Sequence, residues 1–207
     1  MTWIKICGIT CLPDAQEGAS LGVNALGFIF APSPRRIDPH AARSIIRHLP
    51  EKILKVGVFV NEALPRVLWI ADYCSLDMVQ LHGKETLDYC RQVSLPVIKG
   101  IPVKDEKSLE EMESYPSVSI LLDTFARDRA GGTGKAFSWE LALEARKKRN
   151  FILSGGLCPE NVGQAIHLLQ PLGVDVSSGV EERPGKKDVT RMNDFVKEVK
   201  KANDETR

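Results

Sequence analysis

The 207-residue sequence has almost no net charge, since 28 basic and 27 acidic side chains leave a formal +1. Without a broad field of one sign, non-specific binding to nucleic acid or to a membrane surface is not expected. An anionic ligand would have to be met by a local site. Long hydrophobic runs are missing too. The longest, such as Ala25–Phe30 and Ile120–Leu122, fall far short of the ~20 apolar residues that a spanning helix needs. Cysteine is sparse and odd in number: Cys7, Cys11, Cys74, Cys90 and Cys158. With no recognisable signal peptide, these read as reduced thiols of a cytoplasmic protein rather than as a disulfide framework. Cys7 and Cys11 form one close pair, and no second pair of Cys or His completes a tetrahedral set, so no metal is expected.

What the chain does contain is an alternation. Short apolar, β-branched runs recur at Trp3–Cys7, Ala25–Phe30, Ile53–Val60, Met78–Leu81, Pro96–Ile101, Val118–Asp123, Phe151–Ser154 and Val174–Val176. Amphipathic stretches separate or follow them: Pro13–Leu21, Pro39–His48, Ala63–Tyr73, Glu85–Gln92, Lys107–Glu113, Trp139–Lys148, Pro159–Leu169 and Val189–Ala202. Asp38-Pro39 reads as a cap followed by proline in a first turn, and Cys158-Pro159-Glu160 places proline and an acid in another. Continuous apolar strands joined by helix-length crossovers predict a parallel α/β sheet covered on both faces. Eight such units in 207 residues leave no room for a second domain, so residues 1–207 are expected to form a single (β/α)₈ TIM barrel. An open doubly wound sheet is the competing architecture. It usually carries a Gly-rich dinucleotide turn after its first strand, and Cys7-Gly8-Ile9-Thr10 is not that turn.

In such barrels the site lies at the carboxyl ends of the strands. The polar residues there are Cys7, Arg35/Arg36, Asn61, His82, Asp123, Ser154-Gly155-Gly156 and Ser177-Ser178-Gly179. The last two turns follow strands 7 and 8, where barrels frequently hold phosphate. Glycine there lets backbone N–H groups approach without a Cβ in the way. A pair of strand-to-helix turns would also need glycine, but two adjacent ones favour phosphate. Gly131-Gly132-Thr133-Gly134-Lys135 is not a P-loop, because Arg129 stands at the first glycine position and Ala136 follows the lysine. It reads better as a lid within the long connection Thr124–Ser138.

Cys7 and Asp123 end strands 1 and 6. Each alone reads as readily as a core thiol or a helix cap, whereas together, with an anchored substrate between them, they suit proton transfer. A thiol with a reference pKa of about 8.5 needs positive potential to act as a base, and Lys5, two residues back on the same strand face, is one source. His82 is read either as a structural histidine or as a contact to a substrate ring. His40, His48 and His167 fall in helical stretches and carry no signal.

At this point the chain resembles the phosphoribosylanthranilate isomerase family. The resemblance rests on Lys5-Ile6-Cys7-Gly8-Ile9-Thr10, Leu26–Phe30, Ser33-Pro34-Arg35-Arg36, Gly57–Asn61, Val79-Gln80-Leu81-His82-Gly83 and Leu121–Thr124. Gly131–Lys135, Leu153–Leu157, Val174–Glu181 and Pro184–Asp188 continue it in order. It implies an Amadori rearrangement of N-(5′-phosphoribosyl)anthranilate, a small phosphosugar, in tryptophan biosynthesis, with no metal or organic cofactor. It further implies Cys7 as general base, Asp123 as general acid and Arg36 facing the anthranilate carboxylate. Gly155, Gly156, Ser178 and Gly179 would hold the phosphate, and His82 would touch the substrate. Departures fall in the lid (Arg129-Ala130-Gly131), at Ser138 and at Asn24, where the family more often has aspartate. The histidine-pathway Amadori isomerase is a rival, but it uses an aspartate where Cys7 stands and binds two phosphates. A non-catalytic phosphosugar sensor would need neither Cys7 nor Asp123. No exposed apolar stripe is evident, so a monomer is expected.

Overall fold

Strand parity decides the architecture, because successive side chains of a strand point to opposite faces. The computed structural model describes residues 1–103, 105–123 and 139–205. The stretch 124–138, read above as a lid, lies outside the described residues. Eight parallel strands close on themselves in sequence order, each hydrogen-bonded to the next and β8 back to β1. They are β1 (Trp3–Cys7), β2 (Ala25–Ile29), β3 (Leu54–Phe59), β4 (Met78–Leu81), β5 (Val97–Pro102), β6 (Ser119–Asp123), β7 (Ile152–Ser154) and β8 (Gly173–Val176). The helices are α1 (Leu12–Ser20), α2 (Pro39–Ile46), α3 (Leu64–Cys74), α4 (Leu87–Arg91), α5 (Glu106–Glu110), α6 (Trp139–Lys148), α7 (Pro159–Leu169) and α8 (Val189–Glu205). The closed barrel, not the open sheet, is therefore the fold.

Two apolar clusters follow from the alternation. Ala25, Val56, Ile98, Leu121 and Ile152 fill the barrel interior, with Trp3, Leu54 and Met78 packed against them. The intervening residues, such as Ile4, Ile6, Leu26, Phe28, Val79 and Leu122, point outward into the larger cluster beneath the helices. Asp38 caps α2 by accepting the His40 N–H at 2.8 Å, as its sequence suggested. Asn24 Oδ1 accepts the Ile4 N–H at 2.8 Å at the amino end of the barrel.

Three elements depart from the sequence pattern. Helix α4 begins at Leu87 rather than Glu85, because the Glu85 carboxylate is committed elsewhere and Thr86 takes over as cap, accepting from Tyr89 N–H. The stretch expected as a helix over Lys107–Glu113 is a short α-turn capped by Asp105, continued as a 3₁₀ turn over Glu111–Ser114. After β8 the chain makes a 3₁₀ turn (Ser178–Val180) and a small hairpin, β9 (Glu181–Arg183) and β10 (Lys186–Lys187), which the pattern did not reveal. Lys186 pairs with Asp14, and the Lys187 N–H bonds the same carboxylate at 2.8 Å, docking the hairpin on α1.

Glu85 clamps the loops that carry part of the site. Its two oxygens accept Asn61 N–H at 2.6 Å and Gly83 N–H at 2.9 Å, and Lys99 Nζ lies 3.1 Å away. Burial alone would raise its pKa, but the backbone donors and Lys99 outweigh it and hold the carboxyl below the ordinary glutamate value. Its contribution to stability is complete above the unfolded value, about 4.3, and fades as pH falls through the lower folded value. Glu85→Ala leaves a buried ammonium without its counterion and should cost about 3–5 kcal/mol in urea unfolding at neutral pH, whereas a loss under about 1 kcal/mol would contradict the clamp.

Candidate active site

The parity that buries Trp3 inside the barrel also turns Lys5 and Cys7 inward. Met78 does the same for Gln80 and His82, and Leu121 for Asp123. On β8 the inward row is Gly173, Asp175, then Ser177 just beyond the strand. The upper barrel is thus polar where the lower barrel is apolar. Gly27 faces this group from β2: a Cβ there would lie 2.7 Å from Cys7 Sγ and 3.0 Å from Lys5 Cε, so the thiol and the lysine stem occupy its space.

Lys5 is fully buried and is the hub of the polar layer. Its ammonium donates to Asp175 Oδ2 at 2.9 Å and to Gln80 Oε1 at 2.8 Å, and it also reaches Cys7. Burial pushes its pKa down, but the Asp175 carboxylate and the Cys7 sulfur more than offset this and raise it. Cys7 is 6% exposed. Burial pushes its thiol up; Lys5 pulls it down, Asp175 pushes it up again and Lys187 pulls it down, with a net rise. The positive potential expected from Lys5 is present, and burial with Asp175 outweighs it.

His82 Nε2 lies 3.1 Å from Asp123 Oδ2, and its Nδ1 lies 3.1 Å from Gln80 Nε2. Among the described residues the histidine is therefore held by side chains, not by backbone, and it brings β4 to β6. The two arginines after β2 have different fates. Arg35 forks onto Glu181 with contacts of 2.7, 2.8 and 3.0 Å, while Arg36 is exposed and, among the described residues, its side chain has no partner. Arg36 is thus the arginine left available to a ligand. Asn61 has a structural part: it adopts φ 51°, and its Oδ1 accepts the Lys84 N–H at 2.6 Å.

Glu181 also accepts from Lys187 Nζ at 2.9 Å, and Lys187 donates to the Ser177 carbonyl at 3.1 Å. Burial alone would raise the Glu181 pKa, but the two cations outweigh it and keep the carboxyl low. Burial lowers the Lys187 ammonium, which Glu181 only partly offsets. Sequence reasoning missed Lys187, Gln80 and Asp175. The last two could have been found by counting back two residues from His82 and Ser177 on inward faces. Nothing local marks Lys187.

The two glycine turns are neighbours. Gly155 and Gly156 both have positive φ, 90° and 65°, and a Cβ on Gly156 would meet nothing within 4 Å. A Cβ on Gly179 would instead run into the Leu157 carbonyl, so glycine there is required by the packing of one turn on the other. Arg191 Nε holds the Gly179 carbonyl at 2.9 Å. The opening N–H groups of a helical turn have no acceptor within it, which suits Ser178 and Gly179 to an anion. Among the described residues, no group of three or more His, Cys, Asp and Glu converges as metal ligands would, and no helix is long and apolar enough to cross a membrane.

A closed parallel barrel with its ionisable cluster at the carboxyl ends of the strands is the build of the (β/α)₈-barrel enzymes. Within that class the chain belongs to the N-(5′-phosphoribosyl)anthranilate isomerase family, whose family model matches residues 4–198. It is 46% identical over 207 residues to the N-(5′-phosphoribosyl)anthranilate isomerase of Pelobacter propionicus, covering 100% of this chain and 99% of that one. With the enzyme of Moorella thermoacetica it shares 48% over 204 residues, covering 98% and 91%. The crystal structure of phosphoribosyl anthranilate isomerase from Thermotoga maritima superposes with a TM-score of 0.92 at 46% identity, covering 97% of this chain and 100% of that one. A phosphoribosyl anthranilate isomerase in complex with reduced 1-(o-carboxyphenylamino)-1-deoxyribulose 5-phosphate superposes with a TM-score of 0.88 at 44% identity, with the same coverage.

The charge around Cys7 makes a measurable claim. Lys187→Met removes one of the two cations that oppose burial, so the thiol should titrate at higher pH than in the native protein. The pH dependence of Cys7 alkylation by iodoacetamide reads this directly, since only the thiolate reacts. An unmoved titration would show that Lys187 exerts no field on the thiol.

Proposed function

We propose that the chain isomerises N-(5′-phosphoribosyl)anthranilate with Cys7 as general base and Asp123 as general acid, Arg36 meeting the anthranilate carboxylate. The observation that carries the reading is the meeting of an inward thiol on β1 and an inward carboxylate on β6 at one barrel mouth, in a chain of this family. The phosphate is held by backbone N–H groups of the turns at Gly155-Gly156 and Ser178-Gly179, the anion-binding ends of strands 7 and 8. His82, bonded to Asp123, borders the substrate.

Asp123 gives a proton to the furanose ring oxygen as the C1′–O bond breaks, and the substrate's own nitrogen lone pair forms the C1′=N bond. Cys7 thiolate then takes the C2′ proton. The C–H electrons become a C1′=C2′ bond and the iminium electrons return to nitrogen, giving an enolamine. Tautomerisation, with a proton added at C1′ and one lost from the C2′ hydroxyl, yields the ketone. No electrons enter or leave overall. The nitrogen is the electron sink, which is the reason the reaction needs only a positioned acid and base.

The same reading sets the chain in the cytoplasm, where its five unpaired cysteines stay reduced. Its assembly is a monomer: among the described residues the exposed large apolar side chains Met1, Val60, Trp69, Leu168, Leu172 and Val189 are scattered over six elements or loops. A Thermotoga maritima relative is described as dimeric, so light scattering at twice the chain mass would replace the monomer.

Turnover of N-(5′-phosphoribosyl)anthranilate is the deciding assay. Cys7→Ala and Asp123→Asn should each lower kcat by about 10²–10⁴ with little change in KM, the loss expected of a general base or acid. Native kcat in either variant would end that assignment. Arg36→Met should behave differently, raising KM strongly, with kcat falling only as far as orientation is lost. An analogue lacking the carboxylate should then bind native and variant proteins alike, and a carboxylate preference kept by the variant would contradict the role.

A further inference from the structure

The two nitrogens of a neutral imidazole differ, one donating and one accepting, and the partners of the ring decide which is which. At His82 the choice is made two side chains away. Lys5 is an ammonium, with three donors and no acceptor. Gln80 must therefore turn its amide oxygen to Lys5, and the contact is at 2.8 Å. That leaves the Gln80 NH₂ pointing at His82 Nδ1, 3.1 Å away, and this group can only donate. Nδ1 must accept, so the ring hydrogen sits on Nε2, which lies 3.1 Å from Asp123 Oδ2. Reversing the amide would set NH₂ against NH₃⁺, both nearly or fully buried, since Gln80 is 2% exposed and Lys5 0%. Two opposed donors without water cost far more than the reverse arrangement gains.

We infer that Gln80 is a positioning residue: it locks His82 in the Nε2–H tautomer, so that the imidazole always presents a donor to Asp123. The inference deepens the proposed function, because it rests on Asp123 being the acid. With Oδ2 accepting from His82, the carboxyl group is oriented before substrate arrives. Asp175 completes the lock, since its Oδ2 holds the Lys5 ammonium at 2.9 Å. The line Asp175–Lys5–Gln80–His82–Asp123 thereby runs across the mouth from β8 through β1 and β4 to β6. It passes beside Cys7, which Lys5 also reaches. Base and acid are oriented from one hub. Gly100, on the neighbouring strand β5, leaves its Cβ space to the His82 ring.

The test is nitrogen NMR of ¹⁵N-histidine-labelled protein, with His82 assigned among the four histidines by the signals lost in His82→Asn. In the native protein Nε2 should resonate as a protonated nitrogen and Nδ1 as an unprotonated one. In Gln80→Glu a carboxylate replaces the amide, accepts from both Lys5 and the ring, and should place a hydrogen on Nδ1. Its kcat should fall at least about tenfold from a misaligned acid, with KM held within about twofold. A native Nδ1–H tautomer, or a Gln80→Glu protein whose Nδ1 stays unprotonated, would overturn the lock. A protonated Nδ1 in Gln80→Glu with native kcat would overturn the positioning role. The spectra do not depend on turnover, so failure of the Asp123 assignment, read separately as native kcat in Asp123→Asn, is distinguishable. If Gln80→Glu does not fold, the native spectrum alone still decides the tautomer.

Discussion

One buried ammonium organises the upper half of this barrel. Lys5 has no access to water, and a desolvated charge is tolerable only with counter-charge and acceptors around it. Those come from β8 as Asp175 and from β4 as Gln80, strands that are not both neighbours of β1. The need to satisfy Lys5 therefore draws the three inward rows to one point. Cys7, two residues along the same row, is carried to that point as well. A hydrophobic residue at position 5 would fill the barrel as well as Lys5 does, but it would strip the Asp175 carboxylate and the Gln80 amide oxygen of the ammonium they accept from.

Two opposing electrostatic demands meet at the thiol. The barrel interior must be dry enough to pack, and dryness raises the cost of a thiolate. Lys5 and Lys187 act against that cost while Asp175, needed to hold Lys5, acts with it. The result is a thiol held above its ordinary pKa. The hairpin after β8 supplies the second cation. It is fastened by Asp14, Arg35 and Glu181, so its position depends on contacts with α1 and with the loop after β2. Loops that follow β8 and β2, on either side of β1, are tied together by charges, while the strands beneath them are tied by backbone hydrogen bonds.

A glycine can be needed for different reasons, and the two turns that face each other here show both. Gly156 is needed for its positive φ and leaves open space above it, as a ligand would require. Gly179 is needed because Leu157 packs against it. Their sequence contexts are similar, and only the packing tells them apart. The arginine pair divides in the same manner, with Arg35 spent on Glu181 and Arg36 left exposed.

Much of the protein was legible in its sequence. Eight apolar runs spaced by helix-length stretches determine a parallel barrel, because a strand buried on both faces has to be apolar throughout and parallel neighbours need a crossover. The strand ends then locate Cys7, His82 and Asp123, and the motifs around them determine the family. Period-2 parity even says that Lys5, Gln80 and Asp175 point inward. What it does not contain is which inward groups touch. Lys5 meets Gln80 across 75 positions of chain, His82 meets Asp123 across 41, and Arg35 meets Glu181 across 146. These contacts depend on how far each strand is staggered against the next when the sheet closes, a property of the whole ring rather than of any segment. The sequence alone thus determined the barrel and the chemical groups at its mouth. The tertiary structure decided which of them are bonded to one another, and so which nitrogen of His82 carries the hydrogen.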